Sequence, residues 1–93
     1  MLCRIKDILY QDNGKGPYMT SKVGNKYDRR RGCVFDLDKS ELIPDRSYFI
    51  NFIGAHGWVA TTPFIKLQEV DENIFHLETE NSIYVLEKLN EEN

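Results

Sequence analysis

Residues 67–89, LQEVDENIFHLETENSIYVLEKL, contain the strongest structural pattern in the chain. In residues 74–79, apolar and polar side chains alternate, so that Phe75, Leu77 and Thr79 share one face and His76 lies on the other. A period of two is typical of a half-buried strand. Turn-forming residues flank this segment at positions 71–73 and 80–82. The pattern therefore predicts an antiparallel meander with strands at residues 64–70, 74–79 and 83–89.

The last of these segments has a second interpretation. Ser82 is a good helix N-cap, and Ile83, Leu86 and Leu89 would share one face of a helix that begins there. The run of residues 83–85, Ile-Tyr-Val, favours the strand, because β-branched and aromatic residues lose side-chain freedom in a helix. We expect a strand, with a helix as the alternative.

The remainder of the chain shows short strand patterns separated by glycine- and proline-containing turns. Candidate strands lie at residues 1–11 (which also fit a helix), 18–23, 32–38, 47–53 and 58–62, and residues 12–17 have the composition of a loop. Cys33, Phe35 and Leu37 alternate with polar or exposed positions and are expected to point inward. Residues 47–53, SYFINFI, are apolar on both faces, which predicts a strand covered on both sides at the centre of the core. Pro63 predicts a sheet edge or a bulge.

These elements predict an all-β protein. The 93 residues are long enough for a single domain, 1–93, and residues 90–93 are expected to form a frayed acidic tail. Short strands joined by tight turns favour a small antiparallel SH3-like barrel of about five to seven strands. No apolar run is long enough to cross a membrane and the first residues lack the apolar core of a signal peptide, so we expect a soluble, cytoplasmic protein with no membrane partner.

One short motif resembles a known group of proteins. The residues Thr79-Glu80-Asn81-Ser82-Ile83-Tyr84 resemble the Thr-x-Asn-Ser-x-Tyr ending of small uncharacterised phage and bacterial β proteins. In that group a Thr-Ser-Pro-like turn precedes the ending, and Thr61-Thr62-Pro63-Phe64 occupies the similar place here. The resemblance covers a quarter of the chain. It implies a β fold and a phage or mobile-element origin, and it implies no chemistry.

The residues that carry most enzyme chemistry do not form a convincing set. The candidates are His56, His76, Cys3, Cys33, Asp36 and Asp38. A zinc site needs three or four convergent ligands, whereas His76 and Glu78 provide only a pair at the spacing of one strand face. A nucleophilic cysteine needs a nearby base, and Cys33 has the pattern of a core residue. We therefore expect no catalytic activity, no metal and no cofactor.

The charges are distributed unevenly along the chain, which carries a formal net charge of −3. Residues 1–35 have a balance of +5 and residues 67–93 a balance of −7. Such asymmetry suggests a charged interaction surface. The first hypothesis is accordingly a non-enzymatic protein-binding module, an inhibitor or adaptor of a host or defence protein that acts as anti-CRISPR proteins do. Its acidic face would dock on a basic, nucleic-acid-handling partner. The residues of that face are Glu69, Glu72, Glu78, Glu80 and Glu87.

Two further hypotheses use other features. A nucleic-acid-binding barrel would use an arginine-rich loop and aromatic stacking. Its residues would be Tyr27, Arg29, Arg30, Arg31 and Trp58. The sequence pI near 5.3 argues against this, since such domains are usually basic. The last hypothesis is a structural or assembly protein of a phage, whose sheet edges pair with neighbouring subunits.

Overall fold

The computed structural model describes residues 1–12, 15–20, 28–54 and 57–89. These residues form seven strands: β1 (Leu2–Asp12), β2 (Lys15–Thr20), β3 (Val34–Asp36), β4 (Ser47–Ile53), β5 (Trp58–Glu69), β6 (Ile74–Thr79) and β7 (Ser82–Lys88). Two 3-10 helices of three residues each, Asp28–Arg30 and Lys39–Glu41, are the helical elements of the described parts of the chain. Neither has the length or apolarity that a membrane-spanning helix needs. The positions of the predicted acidic tail, 90–93, lie outside the described residues.

Six of the strands close into an antiparallel barrel, and β2 is attached outside the ring. The ring runs β1-β3-β4-β5-β6-β7 and closes where β7 pairs with β1. Strand β1 is long enough to pair with three other strands. One of its edges pairs with β7 over residues 3–10, while the other pairs first with β3 and then with β2. The prediction of a small antiparallel β barrel is confirmed.

Alternation along the strands places the core inside the ring. In β6 the side chains of Phe75, Leu77 and Thr79 are buried, and β6 has the predicted bounds. In β7 the side chains of Ser82, Tyr84 and Leu86 are buried with the same period of two. The strand at the end of the chain is therefore confirmed over the helix. The other buried apolar residues are Cys3, Ile5, Ile8, Phe35, Leu37, Tyr48, Ile50 and Phe64.

The loop predicted at residues 12–17 is wrong for residues 12 and 15–17, and residues 13 and 14 lie outside the described residues. Strand β2 already begins at Lys15 and includes Gly16 and Pro17, and β1 extends to Asp12. Proline is tolerated because β2 pairs only with β1 in the described structure and so lies at the edge of the sheet. Residues 21–23, which the sequence assigned to the same strand, lie outside the described residues.

The expectation that residues 47–53 are covered on both sides is also wrong. In β4, Tyr48 and Ile50 point into the barrel, while Phe49 and Ile53 are exposed. A strand in a single closed ring has one face towards the core, and the other face needs a second layer to cover it. The described residues provide no such layer over the outer face of β4.

Strand β5 bends at its middle and joins two parts of the ring. Its first half, residues 58–63, pairs with β4, and its second half, residues 64–69, pairs with β6. The pairing with β4 shifts register between Ala60 and Pro63, where the Tyr48 N–H donates to the Thr61 Oγ1 at 3.0 Å. The bulge or edge predicted at Pro63 is confirmed. Strands β4 and the first half of β5 form a unit that we call the β4–β5 hairpin.

Buried hydroxyl groups hold the bend of β5 against the turn between β6 and β7. The Asn81 N–H donates to Thr62 Oγ1 at 3.2 Å, and the Thr62 hydroxyl donates to Thr79 Oγ1 at 2.7 Å. Thr79 in turn donates to the Ser82 carbonyl oxygen at 3.2 Å, and the Ser82 hydroxyl lies 2.7 Å from Thr79 Oγ1. These contacts join the two short motifs, residues 61–64 and 79–84, and they give both a structural role.

Candidate functional site

Large apolar side chains cluster on the outer face of the β4–β5 hairpin. The exposed fractions are 53% for Phe49, 52% for Ile53 and 62% for Trp58. Phe49 and Ile53 lie on the same face of β4, and Trp58 lies on the same face of β5. We call these three residues the hairpin patch.

The strand register brings the patch residues together. Asn51 is paired with Trp58 and Phe49 with Ala60, so Phe49 and Trp58 are diagonal neighbours across the two strands. Their rings are 5.6 Å apart between centroids and are tilted by 51°. The separation lies within the range that favours an aromatic pair, so the two rings form one apolar surface. Val34 of β3 is paired with Ile53 and is half-buried, which extends the apolar surface by one strand.

Clustering distinguishes the hairpin patch from ordinary exposed apolar residues. Scattered single residues are normal on a protein surface, whereas contiguous apolar groups mark interaction sites. The other exposed large apolar side chains in the described structure are spread over different elements: Tyr18, Ile43, Ile65 and Val70. Residues 47–53 and 57–62 contain no charged side chain. The two strands of the hairpin are thus suited to an apolar contact with a partner, because they bring no charge that has to be desolvated.

The predicted acidic residues do not form a single face. Glu69 and Glu72 lie where β5 turns into β6, whereas Glu80 lies beyond the opposite end of β6. Six residues of strand separate these ends by about 20 Å. Glu78 is paired across the strands with Lys66, and the Glu87 carboxylate lies 3.5 Å from the guanidinium of Arg4.

The three arginines of the arginine loop, Arg29–Arg31, differ in their contacts. The Arg30 guanidinium donates to the Tyr84 hydroxyl at 2.7 Å, and Arg31 lies 3.9 Å from the Asp7 carboxylate. These contacts hold the loop against the barrel, while the Arg29 side chain is exposed. Tyr27 lies outside the described residues.

The pairing of β3 with β4 sets where this loop lies relative to the hairpin. Because Val34 is paired antiparallel with Ile53, the residues before Val34 run towards the tip that follows Ile53. The arginine residues and the hairpin tip therefore lie at the same end of the sheet. Trp58, the aromatic residue proposed for this loop, belongs to the hairpin patch.

The candidate catalytic residues Cys3, Asp36 and Asp38 make contacts that stabilise the fold. Burial raises the pKa of the Cys3 thiol, which opposes the thiolate form that a nucleophile needs. Hydrogen bonds from Ser40 lower the pKa of the Asp38 carboxyl group, which caps the 3-10 helix Lys39–Glu41. The Asp36 carboxylate lies 2.6 Å from the Met1 amine. Within residues 1–12, 15–20, 28–54 and 57–89, no three His, Cys, Asp or Glu side chains converge as metal ligands do. His56 lies outside these ranges.

Comparisons with protein-family models, with curated protein sequences and with solved structures find no match. The hairpin patch is accordingly assigned from geometry. Two of its members, Phe49 and Ile53, could not be assigned from the sequence, because the apolar run of β4 predicts a strand covered on both sides. Strands are the expected elements throughout the chain, with helices only as alternatives at residues 1–11 and 83–89, so an all-β interpretation leaves no segment to form a covering layer.

Proposed function

We propose that this protein is a non-enzymatic protein-binding module whose main contact surface is the hairpin patch. The observation that supports the proposal is the exposure of Phe49, Ile53 and Trp58 on one face of the β4–β5 hairpin. Burying a side chain of this size is worth about 1.5–3 kcal/mol, so a partner gains by covering all three. Tryptophan at the centre of a contact is also among the residues that contribute most to binding.

The acidic side chains have a supporting part in this proposal. The net charge of −3 and the glutamates at both ends of β6 favour approach to a basic partner, such as a host or defence protein that handles nucleic acid. Exposed charges act mainly on the association rate and on its salt dependence. We therefore propose that charge steers the encounter and that the hairpin patch provides most of the affinity. An inhibitor or adaptor role fits this arrangement.

Nucleic-acid binding is the second candidate, and one observation favours it. Arg29 is exposed at the same end of the sheet as the tip of the hairpin, which also carries Trp58. The other two arginines contact Tyr84 and Asp7, and the overall charge is negative. Protein binding is therefore the better supported function.

The proposal is tested by capture from host-cell lysate, with and without nuclease, using matched variants. The patch variant is Phe49→Ser with Ile53→Ser, and the controls are Glu69→Lys with Glu72→Lys, and Arg29→Ala. The control positions are exposed, so we expect changes in folding stability of about 0.5 kcal/mol per site or less there. Phe49→Ser also loses the ring contact with Trp58 and should cost about 0.5–1.5 kcal/mol more, so urea unfolding checks that each variant is folded.

We expect one protein to be recovered by the wild type after nuclease treatment, and its yield to fall roughly tenfold or more with the patch variant. The acidic control should lose binding mainly at low salt. Equal recovery by the patch variant and the wild type would contradict the proposal. Recovery that disappears with nuclease and with Arg29→Ala would favour nucleic-acid binding instead.

A further inference from the structure

In the described part of the chain, one hydrogen-bonding edge of the first half of β5 has no strand beside it. The Phe52 N–H donates to the Gly57 carbonyl oxygen at 3.3 Å, which makes this pair a hydrogen-bonded one. In an antiparallel ladder the pairs alternate, so the residues paired as Asn51–Trp58 and Phe49–Ala60 direct their backbone groups away from each other. The N–H and C=O groups of Trp58 and Ala60 therefore point away from β4. No described strand pairs with them on that side, because β6 begins its pairing at Phe64.

This edge differs from the outer edge of β2. Among the described strands, β2 pairs with β1 alone, and it contains Lys15, a glycine with φ of 83° at position 16, and Pro17. Lysine, proline and irregular backbone are the devices that prevent a sheet edge from pairing with another chain. Residues 58–60, Trp-Val-Ala, have none of them. The β5 edge is thus open to strand addition in a way that the β2 edge is not.

We propose that the residues 58–60 edge pairs with the same edge of a second copy of this chain. The two strands would run antiparallel about a two-fold axis at Val59, with Trp58 opposite Ala60 of the second copy. Both pairs are then hydrogen-bonded pairs, and each exchanges two N–H···O bonds. All the outward N–H and C=O groups of Trp58 and Ala60 in both copies would find partners in this register.

The side chains fit the same register. Trp58 is a large residue on the outer face and would lie beside the small Ala60 of the second copy, so the two do not compete for space. Val59, half-buried on the inner face, would lie beside the Val59 of the second copy. No charged residue lies in this segment, although the protein as a whole is acidic and would repel a second copy at its charged surfaces.

A two-fold contact of this kind closes on itself, because the same edge is used by both copies. It would give a closed dimer. The hairpin patches of the two copies would then lie side by side on one continuous sheet. The dimer is inferred from backbone geometry and stands independently of the protein-binding function proposed above.

The test compares the wild type with Ala60→Pro by sedimentation equilibrium up to a concentration of about 1 mM, since short edge contacts are weak. Proline removes the outward N–H of residue 60 and leaves the ladder with β4 intact, because that ladder uses Val59. We expect the wild-type mass to rise with concentration from 10.9 kDa towards twice that value. Ala60→Pro should stay monomeric with an unchanged circular dichroism spectrum. A wild-type mass that stays at one chain throughout would overturn the proposal.

Amide hydrogen exchange of the unaltered protein provides a second measurement, which does not depend on the folding of the variant. The amides of Trp58 and Ala60 should exchange at least tenfold more slowly at the highest concentration than at high dilution. Exchange at these two amides that does not change with concentration would contradict the pairing. The patch variant Phe49→Ser with Ile53→Ser should still dimerise. Partner capture by this variant tests the hairpin patch, whereas its dimerisation tests the β5 edge. The two proposals can therefore fail separately.

Discussion

The hydroxyl of Thr62 donates a hydrogen bond to the hydroxyl of Thr79 over 2.7 Å, and this contact ties the bend of β5 to the end of β6. The two residues are 17 positions apart in the sequence. Thr79 is fully buried and also contacts Ser82, so its oxygen is the centre of the network. The Glu80 N–H donates to the Pro63 carbonyl oxygen at 3.0 Å beside it. Together these bonds connect the middle of β5 to the turn between β6 and β7 within the barrel.

Replacing Thr79 by valine should destabilise the protein. The change keeps the shape of the side chain and leaves the hydroxyls of Thr62 and Ser82 with one partner fewer, which costs about 1–3 kcal/mol. Thr20→Val is a suitable control, because Thr20 is exposed and should change the stability by about 0.5 kcal/mol or less. Urea unfolding followed by tryptophan fluorescence measures both. Equal stability of the Thr79→Val variant and the wild type would show that the network is not stabilising.

Replacing Arg30 should lower the stability of the fold more than replacing Arg29. Arg30→Ala removes the charged donor to the buried Tyr84 hydroxyl, so we expect a loss of about 1.5–3 kcal/mol in the free energy of unfolding. Arg29→Ala, at the neighbouring exposed position, should lose about 0.5 kcal/mol or less. The same unfolding measurement compares the two variants directly. Similar losses from both would contradict the contacts described for the loop.

Stability should fall in alkaline solution in part because of Tyr48. Burial raises the pKa of Tyr48 above its ordinary value of 10.0, so folding favours the neutral phenol. This stabilisation is complete below pH 10 and is lost as the pH rises towards the pKa of the folded state. Tyr48→Phe should therefore lose less stability than the wild type between neutral pH and the alkaline range. It should be less stable at neutral pH by about 1 kcal/mol, because the Asp38 N–H loses its partner. A parallel decline of both proteins would exclude this role for Tyr48.

The two cysteines should differ in reactivity. Cys3 is fully buried and its thiol pKa is raised by that burial, whereas Cys33 is partly exposed. We expect a thiol reagent such as DTNB to label Cys33 roughly tenfold or more faster than Cys3 at neutral pH. Mass spectrometry of the labelled peptides assigns each site, and denaturant should equalise the rates. Faster labelling of Cys3 in the folded protein would contradict its position in the core.

The β-barrel fold could be predicted from the sequence because the alternation that indicates each strand is a local pattern. Alternation over Phe75, Leu77 and Thr79 places the same residues inside that the structure buries, and the β-branched run after Ser82 forms a strand. The start of β2 was not predictable from composition. Glycine and proline at positions 16 and 17 resemble a loop, and only the pairing with β1 shows that they belong to an edge strand.

The candidate site was less predictable because it depends on long-range arrangement. An apolar residue such as Phe49 has the same local pattern whether a second layer covers it or solvent does. The acidic residues were also difficult to place, because glutamates that are close in the sequence lie at opposite ends of β6 in the fold. The contact between Arg30 and Tyr84 joins residues 54 positions apart, which no local pattern indicates.

The central claim is that a partner covers the outer face of the β4–β5 hairpin, and site-specific photo-crosslinking tests it most directly. The photoreactive amino acid p-benzoylphenylalanine would replace Phe49, His76 or Glu72 in separate variants. These positions sample the hairpin patch, the outer face of β6 and the acidic turn after β5. We predict a covalent partner adduct from position 49 after irradiation in cell lysate, much stronger than from the other two positions. An adduct from position 72 or 76 without one from position 49 would contradict the account.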